Sequence, residues 1–235
     1  RLAIEDLTQH FPKAYTKGAE YLAQLATFEK RLPELKAAAA KGDAAASEEL
    51  GRYGKLAREA LLANPLLDFD KLLVVRRGEK SPRLGLVNNW ESNSSLPHTG
   101  YDDEIDVLTG FKNGAVTRTR LFRPEGGRFV GDVDLHWDAD RMLFSMPGSN
   151  GRWQICEVKA DGTGFRELPL ILEKDVDNYD ACYLPDGRIL FTSTAPFVGV
   201  PCVGGSSHVS NIYQFDPAKN AIRRLTFEQD HDWCP

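Results

Sequence analysis

The sequence predicts a mainly β chain of repeated four-stranded antiparallel units, preceded by an α-helical N-terminal segment. Three observations carry that expectation. Helical periodicity is confined to residues 1–65, strand-like alternation fills residues 66–235, and the second region contains an internal repeat.

The helical segment comes first. In "AEYLAQLATFEKRLPEL", Tyr21, Leu22, Leu25, Phe28, Leu32 and Leu35 fall at spacings of three and four, which builds one apolar face. Pro33 is expected to kink or restart that helix. Gly42 and Asp43 then interrupt an Ala-rich stretch, and Ser47 with acidic residues behind it suits a new N-terminus. Leu50, Tyr53, Ala57 and Leu61 share the next apolar face, and Asn64-Pro65 stops it. A helical hairpin packed on whatever follows is the expectation.

Beyond Pro65, β-branched and aromatic residues alternate between clusters of Gly, Asp, Asn and Pro. Arg141–Ser145 (RMLFS) matches Arg188–Thr192 (RILFT) with one residue of slack in the preceding turn. Gln154–Pro169 matches Asn211–Thr226 as strand, tight turn, strand. One unit is thus four short strands in about 50 residues, the period of a propeller blade. A four-stranded sheet has an apolar face too many, and blades set around an axis bury each face on a neighbour. The expected units are 66–128 (degenerate), 129–172 and 173–227, with 228–235 starting another. The fold class is therefore a partial, truncated β-propeller, with one face unpaired at its C-terminal end. A β-sandwich or an unclosed sheet is the alternative.

Composition narrows the function. The chain has 235 residues, 42% hydrophobic and 27% charged, and a net charge of -5, which disfavours nucleic acid as a partner. The basic run "TRTRLFR" reads as a half-exposed strand. No apolar stretch approaches the ~18–20 residues needed to cross a bilayer. The chain begins with Arg1 rather than Met, so the lack of a leader in these residues says nothing about compartment. No nucleophile elbow, P-loop, dinucleotide fingerprint, HExxH or CxxCH motif occurs, so no catalytic residue or metal ligand is assigned.

The candidate binding residues lie in two places. The first is a repeated Asp-x-His/Cys: Asp134 with His136, Asp180 with Cys182, and Asp232 with Cys234. Residues two apart on a strand point the same way, so these would face alike near a central axis, with Asp230 and His231 beside them. Such a ring could bind a cation or basic ligand. Equally, each Asp could accept backbone N–H bonds from an adjoining turn. The second place is the long loop "NNWESNSSLPHTGYDDE". There Trp90, Asn93, His98 and Tyr101 could stack on and hydrogen-bond a sugar or peptide, or its polar side chains could hold the loop's own backbone.

The stretch "YLPDGRILFTS…NIYQFDPAKNAIRRLTF" resembles the propeller repeats of the Tol-system periplasmic protein B. Together "GLVNNWESNSSLPHTGYDDEI", "VGVPCVGGSSHVSNIY" and "FEQDHDWCP" look like the large secreted proteins related to the hydrazine synthase alpha subunit. In that group a helical piece leads into a six-bladed propeller. The resemblance implies export to the periplasm or outside, and a scaffold or binding module within a larger parent whose other domains are its partners. A ligand or protein partner is not specified. Two alternatives follow from the same likeness. The parent could be a multihaem c-type oxidoreductase whose haem motifs lie outside this segment, or a hydrolase whose propeller filters substrate. No cofactor is implied within these residues, because haem c in that group sits on CxxCH and no haem-site residue carries over. Export would also permit a disulfide between Cys182 and Cys202, worth ~3 kcal/mol for a loop of about twenty residues. Cys202 with Cys234 is the competing pair, and Cys156 reads as a buried thiol.

Overall fold

The computed structural model of the chain describes residues 1–88, 91–112 and 114–235. They form two compact units: residues 1–70 with 110–115, and residues 71–109 with 116–235.

The first unit is helical, with α1 (Leu2–His10), α2 (Gly18–Ala40) and α3 (Ala44–Leu62). Ile4, Leu7, Tyr15, Tyr21, Leu25, Leu56 and Ala60 form its core, and Tyr15 Oη donates to the Ala60 carbonyl at 2.8 Å. Two local expectations are corrected. Pro33 neither kinks α2 into two helices nor restarts it, because it lies on the exposed side, where water can take the carbonyl it leaves unbonded. The N-cap of α3 is Asp43 rather than Ser47. Its carboxylate accepts from the Ala46 N–H at 3.0 Å, and the helix starts one residue later.

The second unit consists of three separate antiparallel sheets joined by loops. Sheet A pairs β1 (Lys71–Arg76), β2 (Glu104–Thr109) and β3 (Thr117–Phe122) in that order. Sheet B is a four-stranded meander of β4 (Gly131–Leu135), β5 (Arg141–Pro147), β6 (Trp153–Lys159) and β7 (Arg166–Glu167). Sheet C repeats that meander with β8 (Asn178–Tyr183), β9 (Ile189–Ser193), β10 (Asn211–Asp216) and β11 (Ala221–Arg224).

The sheets stack through their faces. On one side of sheet B, Met142, Phe144, Met146, Cys156 and Val158 pack with Ile105, Leu73 and Leu121 of sheet A. On the other side, Leu143 and Ile155 pack with Ala181, Tyr183, Ile189, Phe191, Tyr213 and Phe215 of sheet C. Sheet B is thereby covered on both faces, which no two-layer sandwich achieves. The second face of sheet C carries Cys182, Leu190, Ile212 and Gln214, all half-buried, as the expectation of an unpaired face requires. Among the described residues the three sheets do not close into a ring.

The pairing registers make sheets B and C copies. Leu143 sits between Asp134 and Glu157, and Leu190 sits between Cys182 and Gln214. In the same frame Phe144 matches Phe191 and Cys156 matches Tyr213, each buried against the preceding sheet. Polar bonds tie the layers together as well. Asp103 Oδ2 accepts from Arg77 Nε at 3.1 Å and from the Val130 N–H at 3.0 Å. Asp177 accepts from the Trp153 N–H at 3.0 Å and from Arg152 Nη2 at 2.5 Å.

Because Phe144 and Phe191 occupy matching, fully buried positions, Phe144→Ala and Phe191→Ala should destabilise the chain alike, by about 3–5 kcal/mol each. Urea denaturation followed by intrinsic fluorescence measures both. A loss below about 1 kcal/mol at either site would contradict the stacking.

Candidate functional site

The polar residues gather where the first strands of sheets B and C begin. Both strands carry a bulge there: the register shifts between Gly131 and Asp134 in β4, and between Tyr179 and Cys182 in β8. Asp132 and Asp180 occupy the bulges with φ of 50° and 52°. Asp adopts this left-handed conformation more readily than most residues because its short polar side chain bonds locally. The repeat therefore aligns Asp132 with Asp180, and Asp134 with Cys182. The expected pairing of Asp134 with Asp180 is shifted by two residues, because the extra residue of the first unit lies in the turn that follows β4. There the His136 N–H bonds to the Arg141 carbonyl, where Leu184 bonds to Arg188 in the second unit.

The charge of Asp180 acts on Asp132. Burial, and then the charge of Asp180, push the Asp132 carboxyl up to about 6, against the opposing pull of the Ser145 hydroxyl and the Asn93 amide. Asn93 Nδ2 donates to Asp132 Oδ2 from a short 3-10 turn, Asn93–Ser95, in the long loop between β1 and β2. Asp180 Oδ2 accepts from the Cys234 N–H at 2.5 Å, and the Asp180 N–H donates to Ser145 Oγ at 2.8 Å. Burial and the Asp180 carboxylate push the Cys234 thiol up to about 12, so it stays a thiol at neutral pH although the residue as a whole is exposed.

A second network adjoins Asn93. Tyr179 Oη donates to Ser92 Oγ at 2.5 Å. Ser92 reaches Ser94 at 3.1 Å, and Ser94 reaches Ser207 at 3.2 Å. Further along, His231 Nδ1 accepts from the Ser210 N–H at 3.1 Å and lies 2.9 Å from Ser210 Oγ. That assignment places the ring proton on Nε2, which is buried without a partner among the described residues. Burial holds the His231 pKa below its ordinary value. Ser210 is fully buried, so this Ser–His contact does not present a nucleophile to a substrate.

The other residues singled out from sequence lie as follows. Asp134 Oδ2 accepts the Tyr183 N–H at 2.9 Å, a tie between sheets B and C of the architectural kind. His136 sits at the far end of β4, edge-on to the Tyr183 ring at 4.8 Å, so a strand's length separates it from Asp132. The Asp232 N–H donates to the Ser210 carbonyl at 2.9 Å, and Asn211 Nδ2 comes within 3.5 Å of its carboxylate. Tyr101 packs inward rather than forming a displayed surface, and His98 is half-buried. Tyr101 is 4% exposed and meets Phe129 edge-on at 5.1 Å, while His98 meets Trp153 edge-on at 5.3 Å. Burial lowers the His98 pKa. Trp90 lies outside the described residues. The bridge expected between Cys182 and Cys202 is not formed: all four cysteines are free. Among the described residues no group of three or more His, Cys, Asp or Glu is placed to hold a metal ion.

Asp132, Ser92, Ser94, Ser207 and Tyr179 were not singled out from sequence. The one available signal was the first Asp of "GDVD", Asp132, which the one-residue slack in the turn left unassigned.

No protein-family model matches the chain, and no curated protein matches it in sequence. Solved structures are similar over parts of their length. TolB from Acinetobacter baumannii is 23% identical over 56% of this chain and 28% of its own, with a TM-score of 0.41. Kuenenia stuttgartiensis hydrazine synthase is 14% identical over 70% of this chain and 26% of its own, with a TM-score of 0.46. The tricorn protease is 19% identical over 70% of this chain and 12% of its own, with a TM-score of 0.39. The chain thus spans less than a third of each of these proteins.

The raised Asp132 pKa fixes a sign. Between about pH 4 and 6 the folded chain holds a proton that the unfolded chain has released, so stability falls as pH rises through that window. Asp132→Asn keeps an acceptor for Asn93 and tolerates the positive φ. It should raise stability at pH 7.5 by about 1–3 kcal/mol and leave it nearly unchanged at pH 4. Urea melts at the two pH values measure the difference; an equal effect at both would refute the raised carboxyl pKa.

Proposed function

We propose that this chain is part of an exported β-propeller protein of the kind related to the hydrazine synthase alpha subunit, in which it acts as a scaffold and binding module. The carrying observation is the repetition of the sheet interface. The face that sheet B turns to sheet C is built from Leu143, Ser145, Ile155 and Glu157; on the second face of sheet C the matching Leu190, Ile212 and Gln214 are only half-buried, beside a fully buried Thr192. At the covered interface Ser145 Oγ accepts the Asp180 N–H of the next sheet. On the second face of sheet C, the matching Thr192 Oγ1 is buried with no partner among the described residues. A buried hydroxyl without a partner costs about 1–3 kcal/mol, and a further sheet set as sheet C is set on sheet B would supply the missing N–H.

In this reading the half-buried bulge carboxylates Asp132 and Asp180 form the binding surface at the inner ends of the sheets, with the buried Asn93 and serine hydroxyls holding them in place. One carboxyl that titrates near 6 beside another carboxylate suits a cationic or hydrogen-bond-donating group. Segregation of the helices in their own unit fits a scaffold, and the periplasmic or secreted location rests on the sequence resemblance.

The test compares matched positions. Leu143→Glu should unfold the sheet unit, whereas Leu190→Glu should change stability by less than about 1 kcal/mol while abolishing dye binding and self-association at the open face. Urea melts followed by circular dichroism, dye fluorescence and sedimentation velocity read all three. Equal destabilisation by the two substitutions would mean that the face of sheet C is already covered, and the propeller reading would fall.

A further inference from the structure

The helical unit holds a cleft of about 740 Å³ that neither the sheets nor the repeat explain. Its wall comes from three places: the segment before α2 (Tyr15, Lys17), the face of α3 bearing Lys55, Arg58, Glu59 and Leu62, and the turn bearing Lys112. Lys55, Glu59 and Leu62 recur at spacings of four and three, so one face of α3 supplies them together.

Charge is distributed unevenly in this unit. It contains eleven basic and eleven acidic residues, yet four of the basic residues and only one of the acidic ones line the cleft. The one carboxylate, Glu59, is already engaged: Lys17 Nζ donates to it at 3.3 Å and Tyr21 Oη at 3.1 Å. Arg58 is anchored in place by the Phe111 carbonyl, and Lys112 lies 3.7 Å from the exposed Asp68. Lys55 has no ion-pair partner among the described residues. The floor between these cations is apolar or aromatic, from Ala14, Tyr15, Tyr21, Leu62 and Ala63.

We propose that this cleft binds a small organic anion, with its acidic group among Lys17, Lys55 and Arg58 and its ring-sized apolar body against Tyr15 and Leu62. The size falls within the roughly 300–1,000 Å³ of small-molecule sites, and convergent cations over an apolar floor match an amphiphilic acid better than a simple ion. The site is independent of the sheet stack, so it stands or falls apart from the propeller reading.

Phenyl phosphate is the probe, titrated calorimetrically into the full chain, with inorganic phosphate and benzyl alcohol run separately to supply the charge alone and the body alone. Saturable binding of phenyl phosphate is expected, at least about tenfold tighter than either part and weakened by salt. Lys17→Gln/Lys55→Gln should weaken it about tenfold. Lys30→Gln/Lys36→Gln, the same charge change at exposed positions outside the cleft, should leave affinity within about twofold. Circular dichroism confirms that both double variants are folded. No saturable binding, equal affinity for benzyl alcohol, or equal weakening by the two double variants would each overturn the proposal.

Discussion

Sheet B is apolar on both faces, and a sheet of that kind is stable only when both are covered. Met142, Phe144 and Val158 on one side and Leu143 and Ile155 on the other are fully buried. Water is excluded from both sides of a single layer, so the neighbours must lie parallel to it rather than wrap around an edge. That requirement selects stacked sheets over a barrel. It also fixes which residue of each strand meets the neighbour, since a one-residue slip would turn Leu143 and Phe144 each to the wrong face. The bulges at Asp132 and Asp180 follow from the same geometry: each interrupts the alternation at the start of the first strand and turns a carboxylate out of the layer.

The carboxylates are placed to join the layers as much as to bind. Asp103 and Asp177 each combine a backbone N–H from a neighbouring sheet with an arginine, Arg77 and Arg152 respectively. Burial raises the pKa of both, and the bonds and the arginine charges pull it back down. Buried ion pairs of this type add little net stability, but breaking one leaves a bare buried charge, so they specify how the sheets align. Asp134 does the same with the Tyr183 N–H. Asp132 differs: its partners are the Asn93 amide and the Ser145 hydroxyl, with no arginine bonded to it, and a second carboxylate stands beside it.

The strands, the order of the meanders and the open face were legible because they depend on alternation and on the Arg141–Ser145 to Arg188–Thr192 match, both of which are local. The inner cluster was legible only in outline. A turn of unequal length between β4 and β5 leaves the sequence unable to say whether Asp132 or Asp134 corresponds to Asp180; the bulge decides it, and bulges depend on backbone conformation. Tyr101 misled for another reason. A polar loop suggests a displayed surface, but Tyr101 within it had a hydrophobic cluster to fill with Phe129, Trp153 and Tyr179. The serine network was invisible because Ser94 meets Ser207 across more than a hundred residues of chain.

Edges and faces are treated differently in this fold, and the contrast bears on what the open face is for. A free sheet edge invites another strand, and here the outer edges are blunted. Strand β7 has only two residues, β11 ends in Arg223 and Arg224, and β3 carries Arg118 and Arg120, which pair with the buried Asp106 and Glu104. No such protection appears on the second face of sheet C, where Leu190 and Ile212 are half-exposed between Cys182 and Gln214 and the Thr192 hydroxyl is unbonded. Were solvent the intended neighbour, a charged residue at position 190 or 212 would cost nothing in packing. The residues kept there instead, Leu190 and Ile212, match the Leu143 and Ile155 that sheet B turns to sheet C, which is what the proposed continuation of the stack requires.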